Sequence, residues 1–396
     1  MILFTLVLAK CVSPPGDDAM TSSPTQNPTT APTLSVVYLY TEPFVLVIDH
    51  SWTVEELLAR SELEQSRVWA DGEELTFFYQ SDADAVHICC GIQLPMQRVG
   101  DSDLWALTVR IEDLAEAVIS YSFIPDWDRD LIEAEEGVSD EQVWRGPEAP
   151  PAPERAEALE GRVDRYTIDS VALGGSRDLT VYLPPDYDPI EDYPVVYSAD
   201  GQSVDDFATV LDPQIVDGSV PAVIVVGVHS AEYEGTTEVY DPAQDLRAQE
   251  YLLGNNPERF EAHERFFVYE VSDWAEQTLS ASSRREECAV FGFSNGGAFA
   301  VTMGIRHPEQ YGVVLAFSLG AGPEGLGTPE WTADTAPRQY LVAGTLEPFG
   351  FTTERWVARL NRMGVEHVYR ERVCGHDVVM WVEEFPSAIA WAFQDR

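Results

Sequence analysis

Cys288-Ala-Val-Phe-Gly292-Phe-Ser294-Asn295-Gly296-Gly297-Ala-Phe-Ala is the stretch whose reading decides the fold. An apolar β-forming run leads into a serine, and a run of small and apolar residues suited to a helix follows it. Gly292-Phe293-Ser294-Asn295-Gly296 fits the G-x-S-x-G pattern, which has physical meaning only in a strand–turn–helix context such as this one. The serine of such a turn is held in a strained backbone that projects its hydroxyl over the end of a sheet. Glycines two residues before and two after let the strand and helix pass without Cβ collisions.

Downstream, a serine hydroxyl needs a base to accept its proton, and the base needs an acid to orient it. In an α/β-hydrolase the chain order is Ser, then Asp or Glu after a later strand, then His near the end. Only His307, His367 and His376 follow Ser294. His307, in Arg306-His307-Pro308, reads as a helix-end residue, and His367 falls inside a strand pattern. His376 lies in Cys374-Gly375-His376-Asp377, just past that strand, where loops of open α/β sheets hold functional groups. His376 is the expected base. The run QYLVAG (339–344) leads into Thr345-Leu346-Glu347-Pro348, so Glu347 is the expected acid. Asp334 precedes the strand, and Asp377 adjoins His376 too closely to reach back to its ring. The oxyanion hole requires two backbone N–H groups. One is expected from Asn295, the other from Gln202 or its neighbour Gly201 in the loop after the first parallel strand. No metal or nucleotide motif appears, so the expected chemistry needs no cofactor.

Upstream, PVVYSAD (194–200) and PAVIVVGV (221–228) are continuous apolar runs, as parallel strands covered on both faces require. RVDRYTI (162–168) and LTVYLP (179–184) suggest an opening hairpin. A long amphipathic segment, Glu258 to Leu279, precedes the serine strand. GVVLAFS (312–318) and VEHVYRERV (365–373) supply further strands, and a helical stretch runs from Thr353 to Arg362. This alternation predicts an α/β fold, a doubly wound α/β-hydrolase sheet, over residues 160–396. Residues 146–159 (GPEAPPAPERAEAL) read as a linker. Before it, short runs at 37–41, 44–48, 75–79, 85–94, 104–111 and 117–124, with one helix from Thr53 to Leu63, predict a β-sandwich over residues 34–145. Its aromatics Trp69, Trp105, Tyr79 and Phe77 read as core residues more readily than as a glycan platform.

The chain has 396 residues and a formal net charge of −44, with 68 acidic residues against 24 basic ones. Lys10 is its only lysine. So negative a field repels nucleic acid and anionic lipid, and no nucleic-acid partner is expected. Screening by salt would relieve the self-repulsion, which fits a salty habitat or simply an acidic exported protein. Five cysteines, Cys11, Cys89, Cys90, Cys288 and Cys374, follow neither a disulfide framework nor a metal spacing. Met1 to Ala9 is apolar and ends at Lys10-Cys11, and residues 12–33 are rich in Ser, Pro and Thr. This resembles a bacterial lipoprotein: an export segment over 1–11, a lipid on Cys11 tethering the protein to a membrane, and a flexible stalk. The alternative is a cytoplasmic protein with a frayed tail.

With these residues in place, the chain resembles the esterase family that includes the enterochelin esterases. VYLPPDYD (181–188), YPVVYSADGQ (193–202), Arg247-Ala-Gln-Glu250-Tyr251, VFGFSNGG (290–297), RHPEQYGVVLAFS (306–318), AGTLEP (343–348) and CGHDVVMW (374–381) carry the resemblance in order. TFFYQSDADAVHI (76–88), MQRVGDSDLWALTVRI (96–111) and ISYSF (119–123) extend it to an immunoglobulin-like N-terminal domain. The resemblance implies ester hydrolysis through an acyl-enzyme, and it makes Arg247 and Glu250 a site-support pair, read here as a structural ion pair. The strongly anionic ferric siderophores of such esterases suit a cationic site, which this acidic chain does not promise. A neutral polysaccharide ester or a small aryl or acyl ester is therefore the expected substrate. The alternatives are a siderophore esterase proper and a non-catalytic, surface-anchored binding lipoprotein with a hydrolase-like fold.

Overall fold

The structure, a computed structural model, describes residues 44–126, 142–231 and 244–393. The run 37–41, the export segment, the stalk and Cys11 lie outside the described residues. The N-terminal part contains β1 (Leu46–Ile48), α1 (Val54–Glu64), β2 (Val68–Asp71), β3 (Glu74–Gln80), β4 (Val86–Cys90), β5 (Leu94–Pro95), β6 (Gln97–Arg98), β7 (Leu104–Arg110), β8 (Val118–Pro125) and β9 (Gln142–Arg145). Thr53 and Glu56 form a capping box that starts α1, each side chain satisfying the other's backbone N–H.

The strands form two antiparallel sheets, β1-β7-β3-β2 with β6 on β7, and β5-β4-β8-β9. Alternation places Leu75 and Phe77 of β3 in one core with Ile88 of β4 and Phe123 of β8. Phe78 points the other way, onto Leu57 of α1. Trp69, Trp105 and Phe77 are buried and Tyr79 is half-buried, so none of them offers an exposed platform. The run 85–94 is broken at Cys90, whose φ of +84° ends β4 and bends the chain into the turn at Gly91. β2 and β9 went unforeseen because they are short and charged at their ends.

The remainder contains β10 (Arg162–Ser170), β11 (Gly175–Leu183), β12 (Val195–Ser198), α2 (Val204–Val216), β13 (Ile224–Val228), α3 (Leu246–Tyr251), α4 (Pro257–Arg265), α5 (Ser272–Leu279), β14 (Cys288–Phe293), α6 (Asn295–Arg306), β15 (Val313–Phe317), β16 (Arg338–Gly344), α7 (Phe349–Met363), β17 (His367–Arg372) and α8 (Val378–Phe393). Eight strands make one sheet in the order β10-β11-β13-β12-β14-β15-β16-β17. The hairpin β10–β11 joins it antiparallel, and the strands from β13 to β17 pair in parallel.

The apolar runs are explained by cover on both faces. Val196, Phe291 and Leu315 meet Phe207 of α2 and Phe385 of α8 on one side. Val226, Val290 and Val314 share a core with Phe260, Phe299 and Trp356 on the other. Burying each such side chain contributes about 1.5–3 kcal/mol. The amphipathic segment read from Glu258 to Leu279 begins at Pro257, capped by Asn256, and passes from α4 to α5 through a π-helical turn, Phe266–Val271. That wider turn keeps Phe266, Phe267 and Val271 inside. Residues 146–159 carry no helix or strand, but their ends are tied down: the Glu148 N–H donates to Ala115 O at 2.8 Å and the Ala156 N–H to Thr209 O at 2.8 Å.

Candidate active site

Ser294 follows β14 directly and has φ 56° and ψ −126°, a backbone that residues other than glycine rarely adopt. Three hydrogen bonds hold it there. Its N–H donates to Phe317 O at 2.9 Å, and its carbonyl accepts from Gly320 N–H at 3.0 Å and Ala298 N–H at 3.2 Å. A Cβ on residue 292 would lie 2.2 Å from Gly296 O, and one on residue 296 would lie 2.9 Å from Asp200 Oδ2. Strand, helix and the loop after β12 therefore meet at a distance only glycine permits.

His376 stands between serine and carboxylate. Its Nε2 is 3.1 Å from Ser294 Oγ, and its Nδ1 bonds Glu347 Oε2. The partners assign the tautomer: a carboxylate accepts, so Nδ1 carries the proton and Nε2 is left to accept from the serine hydroxyl. Glu347 is 1% exposed. Its second oxygen accepts from Ser318 Oγ at 2.7 Å and Gly344 N–H at 2.8 Å, and Trp381 Nε1 donates to Ser318 Oγ at 2.8 Å. The His376 ring packs against Phe349, centroids 4.5 Å apart, and edge-on to Trp381 at 4.8 Å. Bonded at both oxygens, the buried carboxylate has its polar groups satisfied and fixes the orientation of the ring.

Asp377 and the other two histidines have structural partners. Asp377 Oδ1 accepts from the N–H groups of Val379 and Met380 at 2.9 and 3.2 Å, capping α8. His307, at the end of α6, bonds Glu264 Oε1 at 2.8 Å, and His367 Nδ1 bonds Val365 O at 2.8 Å. Asp334 is exposed. Asn295 is the buried first residue of α6. Gly201-Gln202-Ser203 forms a single 3₁₀ turn between β12 and α2. The Gln202 side chain is engaged with Ser230, donating to Oγ at 2.9 Å and accepting from N–H at 3.3 Å.

Arg247 and Glu250 do not pair with each other. Both sit on α3, but Arg247 makes a two-pronged bond to Asp200, at 2.6 and 2.7 Å, and reaches Phe293 O at 3.5 Å. Glu250 takes Arg177 at 2.7 and 2.9 Å and the Ala231 N–H at 2.9 Å. Helical spacing would have let the two meet. Instead each answers a buried opposite charge on the sheet side, where leaving one unpaired would be far more unfavourable than a lost surface pair. Burial opposes the Arg247 charge, but the Asp200 carboxylate outweighs it and pushes the guanidinium pKa up. Asp200 and Arg177, and the Ser318 and Trp381 pair behind Glu347, were not anticipated. Only Asp200 had a local signal, in the Ala199-Asp200-Gly201 turn. Among the described residues no cluster of His, Cys, Asp or Glu could hold a metal ion.

Residues 170–338 match the family model described as "Putative esterase". That stretch runs from the opening hairpin through the serine turn and stops at the start of β16. The enterobactin esterase of Shigella flexneri, solved in the presence of 2,3-dihydroxy-N-benzoylserine, is 19% identical with a TM-score of 0.62, covering 85% of this chain and 98% of that one. The ferric enterobactin esterase of Salmonella typhimurium gives 18%, 0.64, 85% and 99%. A ferulic acid esterase of Anaeromyces mucronatus gives 21%, 0.47, 59% and 92%. Residues 160–396 make up about three-fifths of the chain, so a likeness over 85% of it extends into the N-terminal β sheets. The chain thus has the mixed α/β fold of the enterochelin esterases, and the family match supports an ester hydrolase.

Proposed function

We propose that the protein is a serine carboxylic-ester hydrolase whose catalytic residues are Ser294, His376 and Glu347. The observation that carries this reading is the continuous bond from Ser294 Oγ through the His376 ring to Glu347. In this reading Nε2 takes the serine proton as Oγ adds to the ester carbonyl. The tetrahedral oxyanion forms against the backbone N–H groups of Asn295 and of Gln202 or Gly201. Collapse expels the alcohol, which receives the proton from Nε2, and leaves an acyl-enzyme. Water then attacks, His376 again accepting and returning a proton, so that acid and free serine are released. Each oxyanion donor is worth about 10²–10³ in turnover.

The catalytic domain in this proposal is residues 160–396, an α/β-hydrolase, preceded by an immunoglobulin-like β-sandwich over 34–145. Residues 1–11 and the stalk 12–33 imply export and a lipid tether at Cys11. The substrate class is a neutral ester, of a polysaccharide or a small aryl or acyl group. Support comes from the net charge of −44 and from Arg247: the cation at the serine turn is neutralised by Asp200 and gives no free charge to an anionic ligand.

The test is a fluorophosphonate probe and p-nitrophenyl acetate on wild type, Ser294→Ala and His376→Ala. Labelling and turnover present in wild type and reduced by orders of magnitude in both variants are expected. No labelling of folded wild type would overturn the enzyme reading. A panel setting neutral aryl and sugar esters against catecholate triesters then tests the substrate class.

A further inference from the structure

The sheets of the N-terminal part and the loops bearing Glu347 and His376 share a core and a backbone contact. Leu346, the residue before Glu347, is 4% exposed and belongs to the N-terminal core with Ile88, Ile119 and Phe123, and Val373 packs against that core. The Val118 N–H of β8 donates to Val373 O at 2.9 Å. Gly375, beside His376, lies so close to the turn after β4 that a Cβ on it would fall 1.7 Å from Gly91 O. Gly91 is itself pinned, its N–H shared between Ser120 O at 2.9 Å and Ser120 Oγ at 3.0 Å. The two loops are also bonded to each other: Thr345 N–H to Arg372 O at 2.8 Å and Leu346 N–H to Cys374 O at 3.0 Å. Arg145 of β9 pairs with Glu383 of α8, closing the same side.

Among the described residues the serine turn has no such backing. Its backbone bonds run to Phe317 of β15, Gly320 in the loop after it and Ala298 of α6. The nucleophile is thus held by bonds of the large sheet, whereas the acid–base pair, tied to that sheet through Ser318 and Gly344, is backed by the N-terminal sheets as well.

We propose that the N-terminal β sheets position the acid and base: Gly91, Val118 and the core around Leu346 hold the Glu347 and His376 loops at the distance from Ser294 that proton transfer requires. These are positioning residues, acting through His376. The inference rests on the catalytic reading above. A misplacement of about 1 Å at a reacting group lowers turnover by about 10².

Two full-length variants test it. Gly91→Val adds methyl groups where a Cβ would already lie 3.0 Å from both Asp377 Oδ2 and Ser120 O. Leu346→Ala withdraws the acid loop's anchor without adding bulk. Each is assayed with p-nitrophenyl acetate, alone and combined with His376→Ala, with folding checked by circular dichroism. The expected result is a fall in kcat of ten- to a hundredfold with KM within about twofold, and no further loss in the His376→Ala background. Folded variants that keep wild-type kcat overturn the proposal. So do variants that lose the same factor without His376, because their effect then does not pass through the base. If Gly91→Val fails to fold, Leu346→Ala decides alone. Near-wild-type turnover in Ser294→Ala or His376→Ala would instead sink the catalytic reading itself, and the single-variant controls separate that failure from this one.

Discussion

Ser294 rises from the middle of an eight-stranded sheet buried on both faces, whereas Glu347 and His376 ride on loops at the β16–β17 end whose backs lie against the N-terminal core. On the serine side the geometry is local: a strand, a turn with φ 56° and a helix, contiguous in sequence and locked by glycines. On the Glu347–His376 side it is long-range: residues 373 and 375 meet residues 118 and 91, and Leu346 joins the core of Ile88, Ile119 and Phe123, across more than two hundred positions. A site assembled from one local and one long-range half fails differently when each is disturbed.

The largest expected effects lie at the site itself. Ser294→Ala should lower kcat by about 10⁶ and leave the fold intact, since among the described residues the hydroxyl bonds only His376. Glu347→Gln should follow with about 10⁴, because an amide that presents N–H to Nδ1 favours the wrong tautomer. Losses in that order with unchanged thermal midpoints would sharpen the comparison. A Glu347→Gln enzyme of near wild-type kcat would break it, removing the acid from the machinery.

What could be read in the sequence follows the same division. The strands of the large sheet were visible as unbroken apolar runs because both of their faces are covered, and the serine turn was visible because its glycines are adjacent to it. The candidate base emerged by elimination among three histidines, and the candidate acid from its place after a strand. The N-terminal strands were less legible: the bend at Cys90 depends on a left-handed backbone with no sequence marker, and β2 and β9 carry charges at their ends. The pairing of Arg247 and Glu250 was misread because helical spacing says which residues can meet and nothing of what lies opposite. Asp200 and Arg177 come from the loop after β12 and from β11, distant in sequence and fixed only by the sheet order. The approach of Gly375 to Gly91 had no signal either, since a glycine that touches another part of the chain looks like any loop glycine.

The two buried pairs on α3 give the next prediction, and its effect should appear in stability as well as rate. Arg247→Gln strands the Asp200 carboxylate, which is 1% exposed, beside the serine turn. Removing one partner of a buried ion pair is destabilising by about 3–5 kcal/mol. Urea unfolding should show this loss, and Arg247→Leu combined with Asp200→Asn should recover a large part of it. A single variant as stable as wild type would show the pair to be solvated.

The smallest effect is a pH dependence confined to the large sheet's own core. His263 on α4 is fully buried among Tyr251, Phe267 and Phe299, and among the described residues neither ring nitrogen has a hydrogen-bond partner. Burial drives its pKa down to about 4, against the opposing pull of Glu250, whose Oε2 lies 3.7 Å away. In the unfolded chain a histidine charges near pH 6.5. The folded protein therefore binds fewer protons than the unfolded one between these values. The contribution to stability is complete above about pH 6.5 and falls as pH drops towards 4, by about 3 kcal/mol in all. Carboxylates elsewhere also titrate on that path, so the measurement is a difference: urea midpoints of wild type and His263→Phe from pH 7.5 to 4. The variant should gain on wild type steadily as pH falls. Parallel curves would mean that His263 charges freely in the folded state, and that the core behind the serine helix admits water.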